Sequence, residues 1–223
     1  MDLINFENVT VEDAEQAVRI YNAGTYAKAG VKNTNVDTRA RELFADGLGV
    51  TVERVILQLT YIGREYGGVA GFPAALILAP AIGRDIFADR VEYEAAICRA
   101  QPLRDALPTR DALELGFHPF VKELHGKKHW MTWATKFWHF LNVETFLMED
   151  STVDKFFKLQ NKAVSLDKYE QLLELHTGFT AKHEAWLPRL KAVDAGLAWS
   201  DIKLWDKVCY GMDAINKQRK GRA

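Results

Sequence analysis

Apolar residues recur at helical spacing along most of the chain, and the polar residues between them supply starts and stops. Thr10-Val-Glu-Asp13 has the form of a capping box and predicts a helix through about Asn22. Asp37 is placed to cap a second helix ending near Gly47 to Gly49, and Thr51-Val-Glu-Arg54 to start a third. In that third helix Val52, Val55, Ile56, Leu59 and Ile62 share one buried face. Gly67-Gly68 and Gly71-Phe-Pro73 then break the chain. An apolar helical segment follows, interrupted near Pro80, and helix resumes from about Gly83 to Ala100. Pro102 and Pro108 bracket a linker, which divides the chain into a helical lobe of residues 1–101 and another of residues 109–223. These lobes are expected to pack as one unit, with the chain termini free to interleave.

Beyond the linker, Asp105 or Thr109 caps a helix carrying Asp111 and Glu114 in its first turn. Further helices start near Ser151, Asp167 and Ser200, the middle one long and kinked at Pro188. The basic end, Lys217 to Arg222, is expected to fray. No sustained alternation of period two is bounded by hairpin turns, so strands are marginal and the fold class is all-α.

Composition narrows the class without naming a function. The 223 residues are 48% hydrophobic and 26% charged, which argues against disorder and gives room for one large domain or two small ones. Net charge is −1, so any nucleic-acid role needs local clustering of charge. Two cysteines, Cys98 and Cys209, are too few for a disulfide framework, an all-cysteine zinc site or a four-cysteine iron–sulfur cluster. The acidic start, Met1 to Glu7, lacks the basic region of a secretory signal. The most apolar run, Val69 to Ile82, is broken by Gly71, Pro73 and Pro80 and is too short to span a bilayer. A soluble, monomeric, cytoplasmic protein without a cofactor is the expectation.

Several motifs invite chemistry. The Gly67-Gly-Val-Ala-Gly71 loop lacks the Gly-Lys-Ser/Thr ending of a phosphate-binding loop and follows a helical pattern, so it reads as a helix break. His125 and His129 are four apart, with His118 and His139 nearby, but Lys127 and Lys128 between them oppose a divalent ion. No strand–turn–helix elbow carries a nucleophilic Ser, and no cysteine has an evident activating neighbour. The segment from Lys122 to Lys136 sets Lys122, Lys127, Lys128 and Lys136 against Glu123 alone, interleaved with Trp130, Trp133, Phe137 and Trp138. Positive charge among aromatics suits a nucleic-acid backbone beside a stacking pocket, but on charge pattern alone a solvated turn leading into a core helix is the stronger reading. Asp150, directly before Ser151-Thr-Val-Asp-Lys-Phe156, has the position of a helix N-cap. The same amides and helix dipole would favour a carboxylate anion there, so capping and catalysis are compatible.

Ala134, followed by an apolar helix and then Phe146-Leu-Met-Glu-Asp150-Ser-Thr-Val153, resembles the helix–hairpin–helix DNA glycosylase superfamily, in particular its adenine-mismatch branch. The Ala-to-Asp interval is that of the branch, and its segment has the form Phe-Pro-Ile-x-Asp-x-x-Val. The resemblance covers roughly residues 122 to 155 and implies a two-lobed helical fold. It also implies that Asp150 is the catalytic carboxylate, stabilising the oxocarbenium-like sugar of a flipped-out nucleotide. Bifunctional members carry a lysine two residues before the Ala. Thr132 stands there, which implies a monofunctional enzyme; Lys136, one turn later on the same helix face, is expected to meet DNA phosphate or solvent, the alternative being that it points inward. The family's Leu-Pro-Gly-x-Gly hairpin is replaced by Leu124-His-Gly126-Lys-Lys-His-Trp130, so either Lys127 and Lys128 contact phosphate or the hairpin is degenerate.

The expected function is therefore a monofunctional glycosylase on double-stranded DNA, in repair or in defence against modified phage DNA. Asp150 would be catalytic, Lys122, Lys127, Lys128 and Lys136 would bind DNA, and Trp130, Thr132, Trp133, Trp138 and His139 would line a base pocket. The alternatives are a non-catalytic helical DNA-binding protein, and a helical metalloenzyme built on His118, His125 and His129.

Overall fold

The capping box forms as its spacing predicts: the Asp13 amide donates to Thr10 Oγ1, and the Thr10 amide to Asp13 Oδ2, both at 3.2 Å. It opens α1 (Val11–Ala23), whose apolar positions Ala14, Ala17, Val18 and Tyr21 are all buried. The computed structural model describes residues 3–26, 31–45, 52–65, 78–82, 101–124, 130–198 and 200–221. Helices dominate them: α2 (Asn33–Phe44), α3 (Val52–Glu65), α4 (Arg110–Glu123), α5 (Trp130–Leu141), α6 (Ser151–Phe156), α7 (Leu166–Lys182), α8 (Leu187–Asp194) and α9 (Asp201–Lys220). Residues 78–82 are also helical. The only strand pairing among the described residues is a two-residue antiparallel ribbon, β1 (Thr25–Tyr26) with β2 (Val31–Lys32). The class is all-α.

Two compact units divide the chain. One joins its ends, Met1–Thr34 with Glu149–Ala223, and the other is Asn35–Met148. The Pro102–Pro108 stretch, read from sequence as the boundary between residues 1–101 and 109–223, lies inside the second unit.

In the first unit α9 is the central element, with α1 lying along it and α6 and α8 packed on it. The close approach of α1 is permitted by Gly211: a Cβ there would sit 2.2 Å from the Ala17 carbonyl oxygen. The N-terminal segment is clasped to α9 by a pair of bonds, Ile4 amide to Asn216 Oδ1 (2.9 Å) and Asn216 Nδ2 to the Ile4 carbonyl (2.8 Å). Phe156, Phe157, Phe179 and Trp205 form an aromatic cluster of edge-on pairs.

Pro188 does not kink one long helix. α7 ends at Lys182, a 3₁₀ turn spans Glu184–Trp186, and Pro188 sits at the start of α8. A proline in a first turn sacrifices no hydrogen bond, because those amides have no partner inside the helix. The basic C-terminus is likewise helical through Lys220 rather than frayed, with Lys217 paired to Asp213 one turn back and Arg219 to Asp13.

In the second unit α5 packs on α4 and α3. Val55, Leu59 and Ile62 are fully buried, as the spacing in α3 predicts. Arg54 and Gln58 both donate to the Leu43 carbonyl at 3.2 Å, satisfying an orphan acceptor at the end of α2. Asp37 is not the cap of α2: the helix begins at Asn33, and Asp37 is buried within it. Thr109 does cap α4, accepting from the Ala112 amide. Among the described residues no helix is long and apolar enough to cross a membrane.

Candidate functional site

Asp150 is in extended conformation ahead of α6, where its side chain is the N-cap. Its Oδ1 accepts from the Thr152 amide at 2.8 Å and the Val153 amide at 3.2 Å. Its Oδ2 accepts from the Tyr210 hydroxyl of α9. Both oxygens are thus held, and the residue remains partly exposed. Hydrogen bonds on both oxygens fix the plane of the carboxylate and give its charge a defined direction.

The flanking residues hold it from behind. Lys168 of α7 donates to Glu149 Oε1 at 2.8 Å and to Asp154 Oδ2, and all three side chains are nearly inaccessible. Burial and the neighbouring Glu149 carboxylate push Asp154 up to about 6, against the pull of Lys168. Burial works to lower Lys168, but its bonds to Asp154 and Glu149 leave it raised. A buried ion triad of this kind adds little net stability but is costly to break. It pins residues 149 and 154 on α7, on either side of Asp150.

A second polar seam runs along α9. Lys203, Asp206, Lys207 and Tyr210 follow the i, i+3, i+4, i+7 pattern of one helix face. Lys203 bonds Asp206 (2.8 Å), while Lys207 bonds Asp194 of α8 (2.6 Å) and Asn22 of α1 (3.1 Å). Both ammonium groups also face the Tyr21 ring, 5.4 and 5.7 Å from its centroid, and both lysines are fully buried. Tyr21 in turn meets the Tyr210 ring edge-on at 6.0 Å. Asp150 is therefore the partly exposed end of a buried network reaching through Tyr210 and Tyr21 to two lysines. Cys209 is buried beside it, and burial, then the Asp206 and Asp150 carboxylates, push its thiol up. It is no thiolate nucleophile.

The other expected site residues belong to the second unit, on or near α5. Trp133, Trp138 and His139 are completely buried there and Lys136 is 1% exposed. Trp138 Nε1 donates to the Gly116 carbonyl at 2.8 Å, and His139 Nδ1 lies 2.7 Å from the Phe146 carbonyl. The Trp138 ring packs against Phe137 and Phe146. These four side chains form core, which exposes neither a stacking face nor the Lys136 ammonium to solvent. Trp130 and Thr132, at the start of α5, keep partial exposure, and Lys122 is exposed in the last turn of α4. Lys127, Lys128, His125 and His129 lie outside the described residues, as do the Gly67–Gly71 loop and Cys98. Among the described residues no group of three or more His, Cys, Asp and Glu side chains is arranged to hold a metal ion.

Tyr210 and the buried lysines escape a reading by motif, yet α9 carries a signal. Leu204, Trp205, Val208 and Cys209 occupy the remaining faces and are buried, so the charged positions between them must be internal too. Comparison of the chain with protein-family models, with curated proteins and with solved structures returns no match.

Proposed function

We propose that the protein is a monofunctional DNA glycosylase in which Asp150 stabilises the cationic sugar formed as a flipped-out base departs. The observation that carries this reading is the arrangement at Asp150: one oxygen on two backbone amides, the other on Tyr210, and the residue still partly exposed. A carboxylate oriented in advance is worth most where positive charge develops only in the transition state. The likeness of residues 122 to 155 to the glycosylase segment supports it independently.

In the proposed reaction the glycosidic C–N bond breaks and its electron pair leaves with the base. Asp150 offsets the charge on the anomeric carbon and orients water, whose hydroxyl joins that carbon while its proton ends on the departing base. Thr132 stands where a lyase would carry lysine, so the product is an abasic site without strand cleavage. Of the residues expected from sequence to line a base pocket, Trp130 and Thr132 keep accessible surface within the second unit.

The test is a panel of duplexes carrying mismatched, oxidised, alkylated and hypermodified bases, with released base read by mass spectrometry and abasic sites by alkaline cleavage. Release from at least one duplex is expected. Salt-dependent binding with no release from any would instead favour a non-catalytic DNA-binding protein.

A further inference from the structure

Beside Asp150 the first unit contains a cavity of about 420 Å³. Its wall includes Thr152, whose amide bonds Asp150, and Cys209, the neighbour of Tyr210. Ile4, Phe156 and Met212 give it an apolar floor, and Lys155, Lys158, Lys217 and Lys220 stand around it. We propose that this lysine-lined groove seats the phosphodiester backbone of the DNA strand next to the nucleotide at Asp150. The inference rests on the glycosylase reading for its occupant and on its own observations for the surface.

Charge is the first of these observations. Four ammonium groups meet two carboxylates: Asp213 is shared by Lys155 (3.3 Å) and Lys217, and Glu7 pairs with Lys158. Lys220 has no carboxylate partner among the described residues. The groove therefore carries surplus positive charge, although the whole chain is at −1. The lysine side chains of the three pairs are 47 to 71% exposed. Asp213 is only 15% exposed, whereas Lys158 and Glu7 are exposed on both sides; a pair of that exposed kind contributes only about 0–1 kcal/mol, so a phosphate can recruit Lys158, like Lys220, at small cost.

Distribution is the second. Lys217 and Lys220 lie one turn apart on α9, Lys155 is in α6, and Lys158 follows just past its end. Lys155 and Lys217 meet at Asp213, while Lys158 and Lys220 lie outside that pair. Cations carried on separate segments around one cavity suit a repeating polyanion.

The experiment uses the full chain and a fluorescent duplex of unmodified sequence, with affinity measured by anisotropy over a series of salt concentrations. Lys220→Glu and the double variant Lys155→Ala/Lys217→Ala should each weaken binding by at least about tenfold at 0.1 M salt. The slope of log affinity against log salt should become shallower by about 0.9 for each phosphate that is no longer neutralised. Asp213→Asn provides a check in the opposite direction. Freeing Lys155 and Lys217 from their shared carboxylate should tighten binding several-fold, whereas ion pairs with a purely structural role would leave it unchanged or weaker.

Wild-type affinity in both Lys220→Glu and Asp213→Asn, or no DNA binding by the wild-type protein, would overturn the proposal. If binding follows these substitutions but no base is released from any substrate, the glycosylase reading falls and the backbone seat stands. If base release depends on Asp150 but is insensitive to the lysines, the reverse holds.

Discussion

The Tyr210 hydroxyl donates to Asp150 Oδ2 while the amides of Thr152 and Val153 occupy Oδ1, so one carboxylate joins the start of α6 to the middle of α9. Tyr210 touches the carboxylate and is placed as a positioning residue. Tyr210→Phe keeps the ring against Tyr21 and removes only the hydroxyl. Hydrogen bonds to charged groups are worth roughly 1.5–3 kcal/mol, so the single-turnover rate of base release should fall about ten- to a hundredfold. DNA affinity should be unchanged. A variant as fast as wild type would show that the hydroxyl does not orient Asp150 for reaction.

Lys168 bonds two buried carboxylates at once. Lys168→Met keeps the volume of the side chain but leaves Glu149 and Asp154 facing each other without a cation. The expected loss of stability is about 3–5 kcal/mol in urea denaturation, larger than an exposed ion pair can produce. A loss below about 1 kcal/mol would mean that water reaches the triad.

His176 is buried against the Phe157 ring, and neither of its ring nitrogens meets a hydrogen-bond partner. Burial lowers it from 6.5 to about 3. The folded state therefore keeps it neutral, while the unfolded chain takes up a proton below about pH 6.5. Its contribution to stability is complete above that value and shrinks by about 1.4 kcal/mol for each unit of acidification down to about pH 3. Asp154, raised to about 6, acts in the opposite sense: its folded state binds the extra proton, so it adds stability as pH falls from about 6 toward 4. The difference between wild type and His176→Phe at each pH isolates the histidine. The variant should be more stable by about 1–3 kcal/mol at pH 7, where no imidazole remains unsatisfied, and its advantage should widen on acidification. A pH-independent difference would show that His176 is not desolvated.

Gly211 allows α1 and α9 to touch through their backbones. A Cβ at this position would fall 2.2 to 2.5 Å from three backbone atoms of Ala17, none of which can turn aside. Gly211→Ala should force the two helices apart and cost at least about 3 kcal/mol, read as a lower melting temperature. A melting temperature near that of wild type would mean that the two backbones do not touch at this position.

Much of the fold was legible in the sequence because it depends on local chemistry. Thr10 with Asp13 caps the helix its spacing predicts, Thr109 is the one of two candidate caps that forms, a helix starts after Ser200 as expected, and Val55, Leu59 and Ile62 form the face their period implies. Asp37 and Pro188 mislead for one shared reason: a capping residue or a proline marks a helix start only in the right register, and register is set by the turns around it. The candidate site was half legible. Asp150 stands out because its cap position and its place in the glycosylase-like segment coincide. Tyr210, sixty residues away, has no local mark, and its role follows only from the packing of α9 on α6. The tryptophans of α5 show the converse limit, since an aromatic stripe at helical spacing looks alike in a pocket and in a core. Trp133 and Trp138 are in the core.

The most direct measurement is the rate of base release by Asp150→Asn under single-turnover conditions, alongside its DNA affinity. Asparagine caps a helix about as well as aspartate, so the variant removes the negative charge while leaving α6 its start. If Asp150 stabilises the cationic sugar, the rate falls by about a hundredfold or more, as at other preorganised electrostatic sites, with affinity unchanged and the protein still folded. Base release at the wild-type rate by a folded Asp150→Asn protein would contradict that role.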